Sequence, residues 1–477
     1  MRRTFAKTYH VAPQAALIAV LFIALYALVD AGRFTAEVES GKVLRVAAPA
    51  FEWVESGLSP YGPGFEHELL DLFASRSDVR LSVTRTATWE QAWRLVRKGK
   101  ADMVLGLGSE APADLLPALT PGPAYARFRP VLVHSARRFG LRESCEVCAA
   151  PVLLTSNAAL SEALDRQIGP DCTPATKASN DLDITPVLER LNADHDRFAL
   201  VDGGRYRLWQ PFYQSVLPAA DLEGDIAYRW YWRTDAATAP ALAAFWKDMR
   251  DSEQLADLLD RYFGFLPEQT DYFEIRHLAR TVREKMPDYR HLVAEASERY
   301  DIDPLLLTAV IYQESRFDPG AVSRTGVRGL LQLTSATAGD LGLTDRTDPR
   351  QSVMGGARYL RSLYDDLQDM GLEEWDRWFF ALAAYNKGMG HLTDALELTR
   401  QGGDGTSWRE LRQALPKLAW ERWYKNARHG YARGYEAVDY VQRIRYYYYV
   451  LHGLLVLSRP EAEQLAPLVF PATFASI

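Results

Sequence analysis

The period of hydrophobic and polar positions changes twice along this chain. An apolar run without period, from Ala15 to Val29, reaches back to Val11 across Pro13 and Gln14. From Lys42 the pattern alternates between strand and helix. Val43 to Ala48 predicts a strand closed by Pro49, Gly64 to Phe73 an amphipathic helix, and Val79 to Val83 a second strand. Trp89 to Lys98 predicts a helix with Trp89, Ala92, Trp93 and Val96 on one face, and Gly99 to Asp102 turns into the strand Met103 to Gly106. Strands alternating with helices imply a parallel α/β sheet. The break Phe265 to Thr270, with Pro267 inside it, marks a domain boundary.

Beyond that break the period is helical throughout. His291 to Tyr300 is amphipathic, and Asp303 followed by Pro304 opens a helix as N-cap and first residue. Leu305 to Ile311 is apolar all round, so this helix is buried, and Pro319 is expected to stop it just past Glu314. Burial and the negative end of a helix both favour the neutral form of a carboxyl there, and a neutral acid can protonate a leaving oxygen. The plainer alternative is a surface glutamate paired with Arg316. Further helices are expected over Thr334 to Leu341, capped by Thr334 and closed by Gly342, and over Gln351 to Leu367, whose Gly355-Gly356-Ala357 lets a neighbouring helix approach. Trp378 to Tyr385 is a second all-round apolar helix, ending at Asn386 and Gly388. After the flexible Gly402 to Gly405 loop comes an aromatic stretch (Trp420, Trp423, Tyr424, Tyr431, Tyr435), then a helix through Tyr440 to Ile444, with Tyr446 to Tyr449 as packing residues.

A chain of 477 residues, 48% hydrophobic and 25% charged, is globular and long enough for two or three domains. Its net charge of -7, with no basic block past the N-terminus, argues against nucleic acid as a main partner. Arg2, Arg3 and Lys7 before the apolar run predict an export signal or a membrane anchor over residues 1–30. The basic end stays in the cytoplasm, and everything after Asp30 lies on the periplasmic side of a cell envelope. Val29-Asp30-Ala31 is a mediocre cleavage site, which leaves open an uncleaved inner-membrane anchor or a cleaved signal with peripheral outer-membrane association. No cysteine follows the run, so a lipoprotein anchor is excluded. The three cysteines, Cys145, Cys148 and Cys172, predict one disulfide, from Cys172 to Cys145 or Cys148, and one remaining thiol. No further ligand accompanies Cys145-x-x-Cys148, so no metal is expected.

Four motifs fall in order within the helical part: Glu314-Ser315; Ser323-x-Thr325-Gly326-Val327-x-Gly329-Leu330-Leu331-Gln332; Ala384-Tyr385-Asn386-x-Gly388; and Glu436-x-x-x-Tyr440-Val441. On these, residues 288–455 resemble the soluble lytic transglycosylase catalytic domain, which is related in fold to goose-type lysozyme. The resemblance implies a mainly α domain that cuts the β-1,4 bond between N-acetylmuramic acid and N-acetylglucosamine in peptidoglycan glycan strands, leaving a 1,6-anhydro sugar. It implies Glu314 as the acid and then the base, with no cofactor, and Ser323, Thr325, Gln332, Tyr385, Asn386 and Tyr440 as substrate-binding or orienting residues. For Gln332 a purely structural amide is the equal alternative. Two rivals stand beside this reading. One is a hydrolytic lysozyme using Asp318, Asp340 or Asp348 to activate water, and the other a cell-wall sensor that grips glycan without cutting it.

The opening Leu-x-Val strand, the Gly-rich turn, the Trp before a helix and the Gly-Lys-x-Asp before a strand make residues 43–266 resemble the bilobed periplasmic solute-binding fold of the polar amino-acid type. That pairing, with the Gly430 to Gly434 run, resembles a membrane-bound branch of the transglycosylases. It implies a spacer over 31–42, a linker over 267–287 and a tail over 456–477. It also implies that the chain crosses to a second lobe near Val131 to Val133, that Phe198 to Asp202 is a strand there, and that Leu242 to Phe263 supplies the returning helices. The ligand-clamping Arg of that family is missing from Glu110 to Asp114. Asp202, Arg127 and Arg129 remain as candidate contacts, for an amine-bearing or peptide fragment of the cell wall rather than a free amino acid.

Overall fold

The computed structural model describes residues 42–49, 57–107, 111–136, 151–155, 160, 163–164, 166, 176–179, 184–267, 271–400 and 405–459. The apolar N-terminal run, the three cysteines and residues 460–477 lie outside the described residues. Among the described residues no helix is long and apolar enough to cross a membrane.

Residues 42–263 build two sheets. In the first, Lys42–Pro49 pairs in parallel with Val79–Thr86 and Met103–Leu107, as the alternation predicts. The chain then passes through Ala126–Phe128 into Pro130–Ser135, a strand of a second, five-stranded sheet that also holds Phe198–Asp202. It returns as Ile226–Arg233, which lies antiparallel to Met103–Leu107 and completes the first sheet. The sheets are therefore mixed rather than parallel. A strand that re-enters from the other lobe arrives from the opposite end, and alternation of strand and helix cannot report that. Trp89–Arg97 buries Ala92, Trp93 and Val96 on one face of the first sheet, and Phe65–Ser77 buries Phe65, Leu69, Leu70 and Phe73 within the main core.

The expected linker is helix for most of its length. Asp271 accepts hydrogen bonds from the Phe273 and Glu274 N–H groups and starts a helix that runs from Tyr272 to Tyr300 with Pro287 inside it. The helix Pro304–Ser315 is buried from Leu305 through Tyr312, with Asp303 accepting from the Leu305 and Leu306 N–H groups. Burying each of its Leu, Val and Ile side chains contributes roughly 1.5–3 kcal/mol. It ends earlier than Pro319 requires. Arg316 (φ 51°) and Phe317 (φ 57°) both take the left-handed conformation, which costs a non-glycine residue roughly 1–2 kcal/mol. Full burial of the Phe317 ring, and the Lys285 ammonium donating to the Arg316 carbonyl at 3.1 Å, hold the turn in place. At Gly355 and Gly356 the neighbours are Leu343 and Leu331 side chains from loops, not a helix.

The last long helix, Gly434–Leu457, packs on Pro304–Ser315 and on Glu374–Lys387. Its far half docks onto the two-sheet part. The Tyr61 hydroxyl donates to the Arg445 carbonyl at 2.7 Å, the Tyr449 hydroxyl to the Leu208 carbonyl at 2.8 Å, and Gln442 Nε2 to the Gly264 carbonyl at 2.7 Å. The Tyr448 ring meets Tyr61, and Tyr449 meets Phe212 and Phe265. The tyrosine run thus packs between the two parts of the chain as well as inside one of them.

Candidate active site

Glu314 occupies the last turn of its helix, partly open to solvent. Its Oε1 accepts a 2.6 Å hydrogen bond from the Tyr440 hydroxyl, 126 residues away in sequence. Burial pushes the carboxyl up to about 7 from its ordinary 4.5, against the opposing pull of the Tyr440 hydrogen bond. Burial, and then the Glu314 charge, hold the Tyr440 and Tyr385 hydroxyls well above 10, so both stay protonated. The site therefore combines a carboxyl raised toward neutrality with one hydroxyl, that of Tyr440, bonded to it. That is the equipment of a group that gives a proton and takes one back.

The other motif residues are held in different ways, and of these Tyr385 is the one whose titration the Glu314 charge affects. The Tyr385 hydroxyl donates to the Leu331 carbonyl at 2.7 Å, which fixes the ring against the neighbouring loop. Asn386 stands exposed on the last turn of Glu374–Lys387. Gln332, itself left-handed at φ 44°, donates through Nε2 to the Ala321 carbonyl at 3.0 Å and the Gly329 carbonyl at 2.9 Å. Its structural reading is the one that the geometry carries. Ser323 Oγ accepts from the Thr325 N–H at 3.2 Å and the Val327 N–H at 3.3 Å and lies 2.9 Å from Thr325 Oγ1. Both hydroxyls were expected to face sugar; Ser323 shapes its loop, while Thr325 is the exposed one. The loop is fastened at both ends. Ser315 Oγ donates to the Leu330 carbonyl at 2.9 Å, and Arg346 Nη1 to the Leu333 carbonyl at 2.8 Å. Any side chain at Gly329 (φ 83°) would put a Cβ 1.8 Å from the Arg346 carbonyl oxygen, so the motif glycine is obligatory.

Two sets of contacts at the site are not given by the motifs, although Glu436 itself belongs to one of them. Glu436 forms an ion pair with Lys387, next to Asn386, and with Arg433 at 2.8 Å, closing one rim. Glu274 accepts from the Tyr312 hydroxyl at 2.9 Å, the Tyr447 hydroxyl at 3.1 Å and Arg316 Nη2 at 3.1 Å, behind the Glu314 helix. Beside it a cavity of about 430 Å³ is lined by His277, Arg280, Lys285, Ser315, Arg316 and others. The only local signal for Glu274 is its place in the first helical turn after Asp271, which speaks of capping.

The carboxylates considered for water activation are engaged elsewhere or turned outward. Asp318 accepts from the Gly320 N–H at 2.9 Å, Asp348 caps Pro349–Asp366, and Asp340 is exposed. None of them acts on the titration of Glu314. In the two-sheet part, Asp202 is buried and fully engaged: it accepts from the Gly204 and Arg205 N–H groups at 2.8 and 3.1 Å and from the Tyr228 hydroxyl at 2.6 Å. Arg127 is exposed with Asp225 at 3.8 Å, and Arg129 is exposed with its carbonyl bonded to the Gly203 N–H. The strands bring Arg129 and Asp202 side by side in the backbone, and Asp202 already holds three donors from its own lobe and its neighbour. Among the described residues there is no cluster of three His, Cys, Asp or Glu side chains able to hold a metal.

Residues 291–406 match the family model described as the transglycosylase SLT domain. Over 438 residues the chain is 35% identical to a protein of Alkalilimnicola ehrlichii named membrane-bound lytic murein transglycosylase F 1, covering 89% of this chain and 86% of that one. It is 34% identical to the membrane-bound lytic murein transglycosylase F of Alteromonas mediterranea, over 81% of this chain and 85% of the other. Among solved structures, a mutant of ArgBP from T. maritima aligns at 15% identity with a TM-score of 0.40, over 48% of this chain and 98% of that one.

Proposed function

Because the chain belongs to the membrane-bound lytic murein transglycosylase F family, we propose that Glu314 carries both proton transfers of its reaction. The protein is a peptidoglycan lytic transglycosylase. In the first step the neutral Glu314 carboxyl protonates the glycosidic oxygen as the bond from muramic acid C1 to that oxygen breaks, and the glucosamine leaves with a 4-hydroxyl. The substrate's own 2-acetamido oxygen stabilises the cation at C1, so no second carboxylate is needed. In the second step the Glu314 carboxylate takes the proton of the muramoyl 6-hydroxyl, and O6 closes onto C1. Glu314 ends neutral, as it began, and no water is consumed.

The observation that carries this reading is a carboxyl raised to about 7 that, among the described residues, is hydrogen-bonded by Tyr440 and has no carboxylate acting on it. Tyr440 orients the acid, Tyr385 keeps the loop wall in place, and Asn386 and Thr325 are the polar groups left exposed for sugar or acetamido contacts. Ser323 and Gln332 act indirectly, by holding that loop. Digestion of purified peptidoglycan followed by product masses tests the reading. Anhydro products, one water lighter than hydrolytic ones, are expected, and reducing-end muramic acid as the main product overturns it.

The family is membrane-bound, and we place the catalytic part on the periplasmic side, held by the basic and apolar N-terminus. The two-sheet domain is a regulatory one that takes a cell-wall peptide or an amine-bearing fragment. With Asp202 already holding three donors, the exposed Arg127 and Arg129 are left to meet the carboxylates of that ligand. Calorimetric titration with stem peptides and with common amino acids separates this from ordinary amino-acid binding.

A further inference from the structure

Of the eight most exposed large apolar side chains among the described residues, three fall in one short segment: Trp420 at 54%, Tyr431 at 54% and Tyr435 at 46%. Single exposed aromatics are ordinary surface, but a group of them is not. The same segment is basic. Between residues 417 and 433 stand Lys417, Arg422, Lys425, Arg428 and Arg433 against the single acid Glu421, in a chain whose net charge is -7.

The segment is built rather than loose. The His429 N–H donates to Asp394 Oδ2 at 2.8 Å and its ring Nδ1 lies 3.1 Å from Oδ1 of the same buried carboxylate. The Ala432 N–H donates to the Leu418 carbonyl at 3.1 Å. Arg422 stands 5.1 Å from the Trp420 ring centre and 5.3 Å from that of Trp423, and the Tyr424 and Tyr431 rings meet edge to face at 5.5 Å. Arg428 is exposed, with no ion pair among the described residues.

Its place is continuous with the site. The His429 ring packs directly over Gly390, just past the Asn386 turn, and the Glu436 to Lys387 ion pair joins the end of the segment to the residue after Asn386. Tyr440 follows on the same helix.

We propose that Trp420, Tyr431, Tyr435 and Arg428 form a shelf that holds the peptidoglycan strand beyond the bond being cut. The exposed rings stack on the apolar faces of successive sugars, and the guanidinium meets the carboxylates of the peptide stems. This rests on the transglycosylase reading and adds to it where the uncut strand runs. Trp and Tyr among basic residues also suit a membrane surface, but a membrane contact would have no reason to adjoin Asn386.

The test uses the full chain carrying Glu314→Gln, so that binding is read without chemistry, and co-sedimentation with purified sacculi. Adding Trp420→Ala with Tyr431→Ala is expected to weaken binding about tenfold, the size of one well-packed aromatic contact or more. Arg428→Glu, which touches no packing, is expected to weaken it severalfold, and Trp420→Tyr to restore most of what Trp420→Ala loses. In the otherwise unchanged enzyme the double variant should raise KM for sacculi about as much, with kcat changed less than twofold. Binding and KM equal to the parent's in both the double and the Arg428 variant would overturn the shelf. So would loss of binding to vesicles of anionic phospholipid alone. Failure of the parent enzyme to release anhydro products sinks the transglycosylase reading instead, and leaves the co-sedimentation result standing by itself.

Discussion

Arg445 and Asp260 meet 3.1 Å apart with both side chains out of water, joining the helix that carries Tyr440 to the helix Glu253–Phe263 of the two-sheet domain. Arg412 shares the same carboxylate at 2.7 Å. Removing the acid leaves a fully buried guanidinium with only neutral acceptors, Gln442 Oε1 at 2.9 Å and the Asp260 and Arg261 backbone carbonyls. Asp260→Ala is therefore expected to cost roughly 3–5 kcal/mol of stability, read by thermal or urea denaturation. A loss under about 1 kcal/mol would mean that the pair is incidental.

That junction changes what a catalytic fragment must contain. A fragment of residues 288–455 lacks Glu274, the common acceptor for Tyr312, Tyr447 and Arg316 behind the acid's helix. A fragment of residues 271–459 keeps it. The longer fragment is expected to cleave murein, and the shorter one to be less stable by the ~1–3 kcal/mol of each orphaned buried group. Both fragments lose Asp260 and Arg261 as partners of Arg445, so both should melt below the full chain. Equal activity and equal melting of the two would refute the role given to Glu274.

Glu314→Gln is expected to fold and to lose at least ~10²-fold in turnover, the usual effect of removing a general acid. The fold carries a second signature. A carboxyl raised to about 7 from 4.5 binds its proton more tightly folded than unfolded. The stability that follows from this is complete below about 4.5 and lost as pH rises through 7. The glutamine variant has no such loss, so its melting temperature relative to the parent should rise between pH 5 and pH 8. A flat difference across that window would contradict the raised pKa.

The pH profile of cleavage follows from the same group. The first step needs the neutral acid, so the rate should fall as pH rises through about 7. The Tyr440 hydrogen bond favours the charged form, and Tyr440→Phe removes it. The alkaline limb of that variant should therefore move to higher pH, with a lower rate at its plateau. A limb moved to lower pH would reverse the assignment.

Asp202→Ala is expected to unfold the second lobe more readily rather than to spoil a ligand site. The carboxylate caps Gly203–Trp209 and receives the Tyr228 hydroxyl. Losing the cap costs roughly 0.5–2 kcal/mol, and the orphaned buried hydroxyl adds to it. Differential scanning calorimetry of the full chain checks this, and an unchanged transition would refute it.

What could be read in the sequence was whatever is local. Asp303-Pro304 and the apolar run announced a buried helix ending at an acid, and that is where Glu314 stands. Two alternating lobes were legible from strand and turn patterns, but not the antiparallel return of Ile226–Arg233, which depends on the chain's route between lobes. The motif containing Gln332 was visible. Its direction was not, because its acceptors are backbone carbonyls whose placement depends on the folded loop. Glu274 was hidden for the same reason, since each of its partners lies far along the chain. The cap that Asp202 provides could not be told from an amine contact in the sequence, because an acid ending a strand can serve as either.

Tyr440 sits on the final helix of the described chain, and that helix closes against Leu208 and Gly264 as well as against Glu314. Assembly order follows from this. During synthesis, Glu314 emerges long before its hydroxyl partner, and contacts so distant in sequence form late. A nascent or truncated chain ending before Gly434 holds its acid without Tyr440 and without the rim pair of Lys387 and Glu436. An enzyme that cuts the wall bearing the cell's turgor thus completes the surroundings of the acid proposed to cut it only when its last helix has arrived.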